Sequence, residues 1–385
     1  MHLIHKILGI KKRKVCFFVI NSSVFPAKSV FEEMMDDPFF DPYIVIIPDT
    51  LRSQEYMFEG MKKSYDYLKC QYKNVYNSYD YKKSKFIDFT KKCDIVWTAN
   101  PYDCITHKFY SIDYTHSNNK LVLYTIYGYQ VSNWYENLIQ NDEAYKKMTL
   151  VFAESKDSYD NLIENKINSV LLGYPKIDSI ANAHKETERR KTIIVAPHHT
   201  VINWKDGVNF SQFLNYSDFF LELPKIYKEI DFVFRPHPLL FENMKIHKIW
   251  DEERIEKYLR DLAINKNVIY DTSSDYFNIF ANSDGLIHDC GSFMAEYLVT
   301  GNPACYLLKN EDSRKIEFNN FANKCIDNHY KAFKKDDIIE FIDNVIVKGE
   351  DSMKEKRIAF VNTELKMNYP NSAKVICKYI KGSLI

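Results

Sequence analysis

Short runs of β-branched and aromatic residues alternate along this chain with longer stretches of helical pattern. This alternation is typical of a parallel β-sheet whose strands are joined by crossover helices. The candidate strands form two series, at residues 15–20, 44–47, 94–98, 121–125 and 150–153, and then at 192–196, 231–234, 267–270, 285–288 and 304–308. The sequence therefore predicts an α/β fold with two successive doubly wound sheets.

The two series meet at a strong chain breaker, Gly173-Tyr174-Pro175, which a polar stretch at residues 182–191 follows. We predict a first Rossmann-like domain at residues 15–175 and a second at residues 176–365. A last helix, within residues 366–385, is expected to cross back to the first domain. Because ligands of such folds bind beyond the carboxyl ends of the strands, we expect a nucleotide-binding cleft between the domains.

Charge and cysteine content exclude several classes of protein. The 385 residues include 52 basic and 52 acidic side chains, a balance that gives no overall positive field for nucleic acid. The eight cysteines include no C-x-x-C pair, which disfavours a zinc ribbon and favours a reducing compartment. No apolar run approaches the roughly 20 residues that a membrane-spanning helix needs. We therefore expect a cytoplasmic protein.

Residues 1–14 combine an apolar helical face with a basic block at residues 11–14. A short amphipathic segment of this kind can rest on an anionic membrane surface. The alternative is an ordinary leader that precedes the first strand. We treat residues 1–14 as a basic leader and as a candidate peripheral contact with the inner face of the cell membrane.

A strand, a turn of small residues and a helix follow one another between residues 285 and 299. Backbone N–H groups near Gly291 and Ser292, at the start of this helix, form a candidate anion site. Glu296 lies one helical turn after Ser292 and can accept hydrogen bonds from sugar hydroxyls. Together with Asp289 these residues predict a nucleotide site. The alternative is an ordinary turn in which Asp289 or Ser292 only caps the helix.

Two further polar clusters follow strands of the second series. For His198, His199 and Thr200, phosphate contact or structural hydrogen bonding is favoured over metal binding, because adjacent histidines seldom converge on one ion. Arg235 offers a guanidinium suited to phosphate, and His237 lies between two prolines that fix its backbone. A rigid histidine beside an arginine suits phosphate binding or proton transfer, and the alternative is a rigid turn with a solvated arginine.

In the first half, Ser22 and Ser23 follow the first strand, and Tyr127 and Gly128 follow the fourth. We regard these four residues as candidates for holding an acceptor molecule. The polar residues 271–275 are assigned to helix capping instead. The chain has no G-x-x-x-x-G-K-[ST], G-x-S-x-G or H-E-x-x-H motif, which disfavours P-loop ATPases, α/β-hydrolases and zincin proteases.

The order of four motifs resembles a known family. The motifs are Gly-Tyr-Pro-Lys-Ile-Asp at 173–178, Ala-Pro-His-His-Thr at 196–200, Phe-Arg-Pro-His-Pro at 234–238 and Asp-Cys-Gly-Ser-x-x-x-Glu at 289–296. In this order they resemble the CDP-glycerol glycerophosphotransferases, which are teichoic-acid-type polyol-phosphate transferases. The resemblance is best over residues 170–310, and it implies the GT-B fold with a nucleotide in the cleft between two Rossmann-like domains.

The resemblance also implies roles for individual residues. His237 matches the catalytic histidine of the family's Arg-x-His-Pro element, and residues 289–296 match its element for the CDP-linked donor. The expected protein is a transferase that moves glycerol or ribitol phosphate from a CDP-activated donor to a hydroxyl of a glycan or lipid-linked acceptor in surface polysaccharide synthesis. His237 or His198 would act as the base, Arg235 and His237 would stabilise the leaving group, and no metal or other cofactor is required.

Two alternatives remain open. Gly291 and Glu296 depart from the family pattern and resemble the Asp-Ser-Gly-Gly-x-x-x-Glu of nucleotide-sugar GT-B enzymes and UDP-GlcNAc 2-epimerases, whose glutamate holds the ribose hydroxyls. This favours a glycosyltransferase that uses a nucleotide sugar. The family's His-Gly in the first domain corresponds here to Tyr127-Gly128, which favours a non-catalytic GT-B module.

Overall fold

The computed structural model of the chain describes residues 12–51, 53–202, 209–273 and 276–383. In these residues the strands are β1 (Arg13–Val19), β2 (Phe40–Ile46), β3 (Val75–Asn77), β4 (Tyr79–Asp80), β5 (Lys85–Phe86), β6 (Ile95–Thr98), β7 (Leu121–Thr125), β8 (Leu150–Phe152), β9 (Ser169–Val170), β10 (Thr192–Ala196), β11 (Asp231–Phe234), β12 (Val268–Tyr270), β13 (Gly285–His288), β14 (Ala304–Leu307) and β15 (Tyr330–Ala332).

Helices connect most of these strands. They are α1 (Lys28–Asp36), α2 (Gln54–Gln71), α3 (Ile112–Ser117), α4 (Asn133–Asn141), α5 (Glu143–Lys147), α6 (Lys156–Glu164), α7 (Asp178–Ala181), α8 (Phe213–Ile226), α9 (Leu240–Ile246), α10 (Glu252–Ala263), α11 (Phe277–Ala281), α12 (Phe293–Glu296), α13 (Glu311–Glu317), α14 (Asn320–Ile326), α15 (Lys335–Glu340), α16 (Lys354–Phe360) and α17 (Ser372–Ser383). Over the described ranges, no helix has both the length and the apolar character needed to cross a membrane.

The first compact unit comprises residues 1–128, 139–179 and 366–385. Its sheet has the strand order β3-β2-β1-β6-β7-β8-β9, and every neighbouring pair is parallel. The strands are aromatic and β-branched because both faces of a parallel sheet are covered by helices. In the core, Trp97 stacks on Phe17 and on Phe152, with ring centroids 5.2 and 5.1 Å apart.

The last helix, α17, belongs to this first unit. Ile376 and Ile380 are buried in its core. The breaker glycine, Gly173, has a φ of +88°, and a Cβ there would lie 2.2 Å from the carbonyl oxygen of Met367, so only glycine fits. Asp178 accepts a hydrogen bond from the backbone N–H of Ala373 at 2.9 Å and so caps α17. The motif at 173–178 therefore has a structural role, which is to seat the last helix.

The second compact unit comprises residues 129–138 and 180–365. Its sheet has the strand order β12-β11-β10-β13-β14-β15 and is also parallel throughout. The chain builds outward from β10 to β12, returns to β13 beside β10, and builds outward in the other direction. The point between β10 and β13 is a topological switch, where ligands of doubly wound sheets bind.

The predicted strands are all present, and four of them have the predicted bounds, namely β7, β10, β11 and β13. One expectation at the chain's start needs revision. The first strand begins at Arg13, inside the predicted leader, and residues 1–11 of that leader lie outside the described residues. Strands β3, β4, β5, β9 and β15 are absent from the predicted series, because each has only two or three residues and little apolar pattern.

Candidate functional site

The switch point of the second sheet brings three of the predicted clusters together. His198 and His199 follow β10, His237 follows the neighbouring strand β11, and Asp289 follows β13. Because parallel strands end at the same edge of a sheet, the loops after β10, β11 and β13 are neighbours. The residues that follow these three strands all lie within the second unit.

Asp289 holds two of these loops in place. One carboxylate oxygen accepts from the backbone N–H of His198 and the other from the N–H of Gln212, each at 2.5 Å. The side chain is buried, and burial raises the pKa of Asp289 to about 7, although the hydrogen bonds from Gln212 and His198 oppose that shift. The expectation that Asp289 binds the donor is therefore corrected, because its carboxylate is turned into the protein and positions the histidine loop.

His198, His199 and His237 form a compact cluster, which we call the histidine cluster. The ring centroids of His199 lie 4.3 Å from those of His198 and 4.2 Å from those of His237, and the remaining pair is 5.3 Å apart. One nitrogen from each ring lies within 4.8 Å of the other two. The structure thus joins the loops after β10 and β11 into one site, which the sequence had presented as separate clusters.

The hydrogen bonds of two rings fix their tautomers. The Nδ1 of His237 accepts from the backbone N–H of Leu239 at 3.1 Å, and the Nδ1 of His199 lies 3.0 Å from the side-chain amide nitrogen of Asn243. That amide also donates to the carbonyl oxygen of His199, which fixes its orientation. A nitrogen that accepts a hydrogen bond carries no proton, so the neutral rings of His199 and His237 carry theirs on Nε2.

Thr200 fixes the tautomer of the third ring, His198, in the same way. Its hydroxyl oxygen accepts from the backbone N–H groups of Phe210 at 3.0 Å and Ser211 at 3.4 Å, and it lies 3.0 Å from the Nδ1 of His198. With both lone pairs used, the hydroxyl proton points at Nδ1, and the proton of His198 also lies on Nε2. For Thr200 we predicted either contact with the phosphate of the donor or structural hydrogen bonding, and in the structure its hydrogen bonds orient His198.

Burial keeps two of these rings, His198 and His237, neutral. The pKa of His198 is lowered well below its usual value by burial and then by His199 and His237. The pKa of His237 is likewise lowered well below its usual value by burial and then by His199 and Arg235. At neutral pH His198 and His237 therefore present N–H donors without formal charge, an arrangement that suits oxyanions.

This arrangement bears on two of the predicted roles. A general base or a metal ligand must offer a nitrogen lone pair. In His237 and His198 the Nδ1 lone pair already accepts a hydrogen bond and Nε2 carries the proton. The geometry therefore argues against His237 or His198 as the base, and a transition metal could use the three close rings only after each had given up its Nε2 proton. The same geometry agrees with a role of these histidines as hydrogen-bond donors.

Arg235 is tethered beside the cluster. Its guanidinium pairs with the carboxylate of Asp271, donates to the carbonyl oxygen of Ser273 at 2.8 Å, and lies 5.2 Å from the ring centroid of Tyr276. Asp271 was assigned to helix capping, and the structure corrects this by showing it as the partner of Arg235. The side chains of both are about one-tenth exposed, so a phosphate at Arg235 would bind a guanidinium that is already oriented.

The helix that follows β13 is shorter than predicted. Helix α12 is a single turn, Phe293–Glu296, which continues as the 3₁₀ turn Tyr297–Thr300, so its dipole is small. A Cβ on Gly291 would lie 3.3 Å from Val131 and 3.4 Å from Phe210, so this glycine serves close packing. Ser292 has helical backbone angles and, among the described residues, caps nothing. The predicted anion site at Gly291 and Ser292 therefore has weaker support than the histidine cluster.

Glu296 is completely buried, and its carboxylate accepts a hydrogen bond from the hydroxyl of Tyr276. It lies in the predicted segment and can serve a polyhydroxylated ligand only after that hydroxyl moves aside. Tyr276, Asp271 and Asn243 were missed as site residues. Only Asp271 had a signal in the sequence, since it directly follows a strand; the other two depend on contacts between distant segments.

The acceptor candidates lie at the corresponding edge of the first sheet. Ser22 and Ser23 follow β1, and Tyr127 and Gly128 follow β7, on either side of β6. The backbone N–H of Ser22 donates to Ser64 at 3.2 Å, and the hydroxyl of Ser23 donates to Asn21 at 2.9 Å. The carbonyl oxygen of Tyr127 accepts from the amine of Lys176 at 3.3 Å. These hydroxyls and amides could hold a polyhydroxylated molecule.

Comparison with known proteins identifies structures with the same fold but no match in sequence. No family model matches the chain, and no curated protein matches its sequence. Among solved structures, the wall teichoic acid polymerase TagF, in a variant soaked with CDPG, has a TM-score of 0.62 at 13% identity over 99% of this chain and 95% of its own.

UDP-GlcNAc 2-epimerases match to a similar degree. The Neisseria meningitidis epimerase bound to UDP-GlcNAc has a TM-score of 0.57 at 14% identity and covers 96% of this chain and 99% of its own. The S. aureus MnaA–UDP structure has a TM-score of 0.59 at 14% identity, with 97% of each chain covered. The chain therefore has the GT-B fold, as predicted, and both groups that its motifs resemble are among its structural neighbours.

Proposed function

We propose that the protein transfers a polyol phosphate, glycerol phosphate or ribitol phosphate, from a CDP-activated donor to a hydroxyl of a glycan or lipid-linked acceptor. The histidine cluster beside Arg235 is the observation that carries this proposal. It supplies several N–H donors and one permanent positive charge at the switch point of the second sheet. A diphosphate is the ligand whose oxygens best match such a set.

In the proposed mechanism the donor diphosphate accepts hydrogen bonds from the Nε2–H groups of His198, His199 and His237. The acceptor hydroxyl oxygen bonds to the phosphorus of the transferred polyol phosphate as the bond from that phosphorus to the cytidine monophosphate breaks, and the acceptor proton passes to a phosphate oxygen or to water. Negative charge grows on the leaving phosphate, and the same donors and Arg235 stabilise it. One preorganised donor of this kind contributes about 3–4 kcal/mol to transition-state stabilisation. Such phosphoryl transfers depend mainly on positioning and electrostatics, so the mechanism needs no metal and no strong base.

Glu296 would accept hydrogen bonds from the ribose of the same donor, as the motif resemblance implies. The acceptor would be held at the edge of the first sheet by Ser22, Ser23, Tyr127 and Gly128, whose hydroxyl and backbone groups suit a sugar or polyol. The structural neighbour TagF, a wall teichoic acid polymerase soaked with CDPG, is consistent with this class of donor and acceptor. Contact with a membrane surface through residues 1–14 remains part of the proposal.

A second candidate is a GT-B enzyme that acts on a UDP-sugar. Gly291 and Glu296 match the nucleotide-sugar pattern, and the neighbours include an epimerase bound to UDP-GlcNAc. The histidine cluster serves this chemistry equally well, because a UDP-sugar also carries a diphosphate. The two candidates therefore differ in the nucleobase of the donor, cytosine or uracil, and in the group that is transferred.

A thermal-shift panel separates these candidates. The ligands are CMP, CDP-glycerol, CDP-ribitol, UDP, UDP-GlcNAc and inorganic pyrophosphate. A ligand present at 100 times its dissociation constant adds about 2.7 kcal/mol to stability, which is readily detected. Selective stabilisation by CDP-glycerol or CDP-ribitol supports the proposal, and selective stabilisation by UDP compounds supports the second candidate. If none of the ligands stabilises the protein, both are wrong and a non-catalytic module becomes the better account.

A further inference from the structure

One tyrosine contacts the two groups that the proposed function assigns to the two parts of a nucleotide. The hydroxyl of Tyr276 donates to the Glu296 carboxylate, which is the proposed ribose acceptor. The ring of Tyr276 lies 5.2 Å from the guanidinium of Arg235, which is the proposed phosphate ligand. Tyr276 thus has a position from which it can influence how ribose and phosphate bind.

The ring of Tyr276 packs against two phenylalanines, so its hydroxyl leaves Glu296 only when the whole ring shifts. It is 6% exposed, and its centroid lies 5.0 Å from that of Phe280 and 4.9 Å from that of Phe293. Glu296 is 0% exposed, so its carboxylate cannot meet a ligand while the tyrosine hydroxyl covers it. A buried carboxylate that loses its hydrogen-bond partner is strongly destabilised, so any group that displaces this hydroxyl must replace its hydrogen bond.

We propose that the Tyr276 hydroxyl stands in for a ribose hydroxyl on Glu296 and exchanges with the hydroxyls of the bound nucleotide. This inference rests on the proposed function, because it takes Glu296 as the ribose acceptor. Tyr276 is then a specificity-determining residue. A ribonucleotide gains a hydrogen bond to Glu296 but displaces the one from Tyr276, so its affinity reflects the difference between the two. A nucleotide that lacks the ribose hydroxyls gains nothing from Glu296.

The variant Tyr276→Phe tests this proposal without disturbing the ring. The phenyl ring still packs on Phe280 and Phe293 and still faces Arg235, and only the competing hydroxyl is lost. The matched control is Tyr297→Phe, which removes another buried hydroxyl from the same aromatic cluster. The Tyr297 hydroxyl lies 2.8 Å from that of Ser283 and its ring 5.1 Å from that of Phe280, so neither proposed ligand group is touched.

Calorimetric titration would measure the binding of CMP and of 2′,3′-dideoxycytidine monophosphate to the wild type and both variants, or the uridine pair if the panel selects uridine. We expect Tyr276→Phe to bind CMP about tenfold more tightly, since a hydrogen bond to a charged group no longer has to be broken. Dideoxy-CMP should bind all three proteins within about twofold. Tyr297→Phe should match the wild type for both ligands.

The outcomes that contradict the inference are distinct from failure of the proposed function. If the wild type binds CMP but Tyr276→Phe binds it no more tightly than Tyr297→Phe does, Tyr276 is no competitor for Glu296. An equal gain for both nucleotides would show a general loosening of the site and would also overturn the exchange. If the wild type binds neither a cytidine nor a uridine nucleotide, the proposed function itself is wrong.

Discussion

The carboxyl edges of the two sheets differ sharply although their strand orders follow the same plan. In both sheets the order in which strands are added reverses once, although the strands stay parallel. The reversal lies between β1 and β6 in the first sheet and between β10 and β13 in the second. At the first edge the Ser23 hydroxyl donates within its own loop to Asn21, and the Ser22 backbone N–H donates to the Ser64 hydroxyl. The second edge carries three histidines and an arginine, each oriented by another group. A shared topology thus fixes where a ligand binds, and the supporting hydrogen bonds decide which ligand.

The largest expected effect comes from the support beneath the second edge. Asp289→Asn should lower the free energy of unfolding by about 3 kcal/mol and abolish nucleotide binding, because an amide cannot accept from both N–H groups that the carboxylate now holds. Urea denaturation and calorimetric titration measure the two effects. Asp336→Asn, at a position 80% exposed, is the matched control and should change neither. A stable variant that binds nucleotide normally would show that the histidine loop needs no such anchor.

The next effect concerns the role of one histidine. His237→Ala should slow transfer by about 10²–10³-fold while nucleotide binding weakens much less, because a donor to the developing charge is lost. His237→Gln, which keeps an amide N–H, should recover at least about tenfold of this loss. Single-turnover transfer from the donor found by the panel is the measurement. A glutamine variant as slow as the alanine variant would instead favour a proton-transfer role.

The two units should also differ in their response to acid. Burial lowers the pKa of four histidines in the second unit, namely His198, His237, His288 and His329. Since the unfolded chain binds more protons below about pH 6.5, the stability from these groups is present above that pH and is lost as the pH falls. Burial raises the pKa of Asp289 and Glu317 to about 7, which acts in the opposite sense but involves fewer groups.

In the first unit, burial lowers the pKa of one histidine, His107, and raises the pKa of Asp103 and of Asp178, the latter to about 6. The two carboxyls add stability there as the pH falls towards their ordinary values and so oppose the single histidine. We therefore expect the second unit to lose protection first on going from pH 7 to pH 5, by roughly 1.4 kcal/mol per pH unit for each net proton taken up. Hydrogen exchange followed by mass spectrometry, corrected for intrinsic rates, resolves the two units. Equal loss in both units, or earlier loss in the first, would contradict this comparison.

The smallest effect is expected at the first edge. Ser23→Ala should raise the KM for the acceptor by a few-fold and leave donor binding unchanged, because one neutral hydrogen bond contributes only about 1 kcal/mol. Steady-state transfer at varied acceptor concentration checks this prediction. A change in donor affinity of the same size would show that the two edges do not bind acceptor and donor separately.

The sequence predicted the fold well where burial leaves a strong pattern. Strands such as β10 and β13 are continuous apolar runs because both of their faces are covered, and their bounds were predicted correctly. The edge strand β3 has only three residues, one of them buried, and left no such pattern. Helix α12 was predicted too long, because an apolar sequence does not distinguish an α-helical turn from the 3₁₀ turn that follows it.

The candidate residues were chosen because they follow strands, and the contacts among them were not predicted. His198, His237 and Arg235 were treated as two separate clusters, and the structure places both beside the switch point because sheet topology determines which loops meet. The direction of the Asp289 carboxylate and the tautomer of His199 could not be predicted. They depend on Gln212 and Asn243, which lie 77 and 44 residues away in the chain and carry no motif.

The central claim is that the histidine cluster is a set of neutral N–H donors that binds the phosphates of a nucleotide. Long-range ¹H–¹⁵N spectra of the protein with ¹⁵N-labelled histidine, recorded at pH 7.5 with single His→Gln variants for assignment, test it most directly. The account predicts that His198, His199 and His237 are all in the Nε2–H form and that their Nε2 signals shift when the selected nucleotide is added. Nδ1–H rings, charged rings, or signals that the nucleotide leaves unchanged would contradict it.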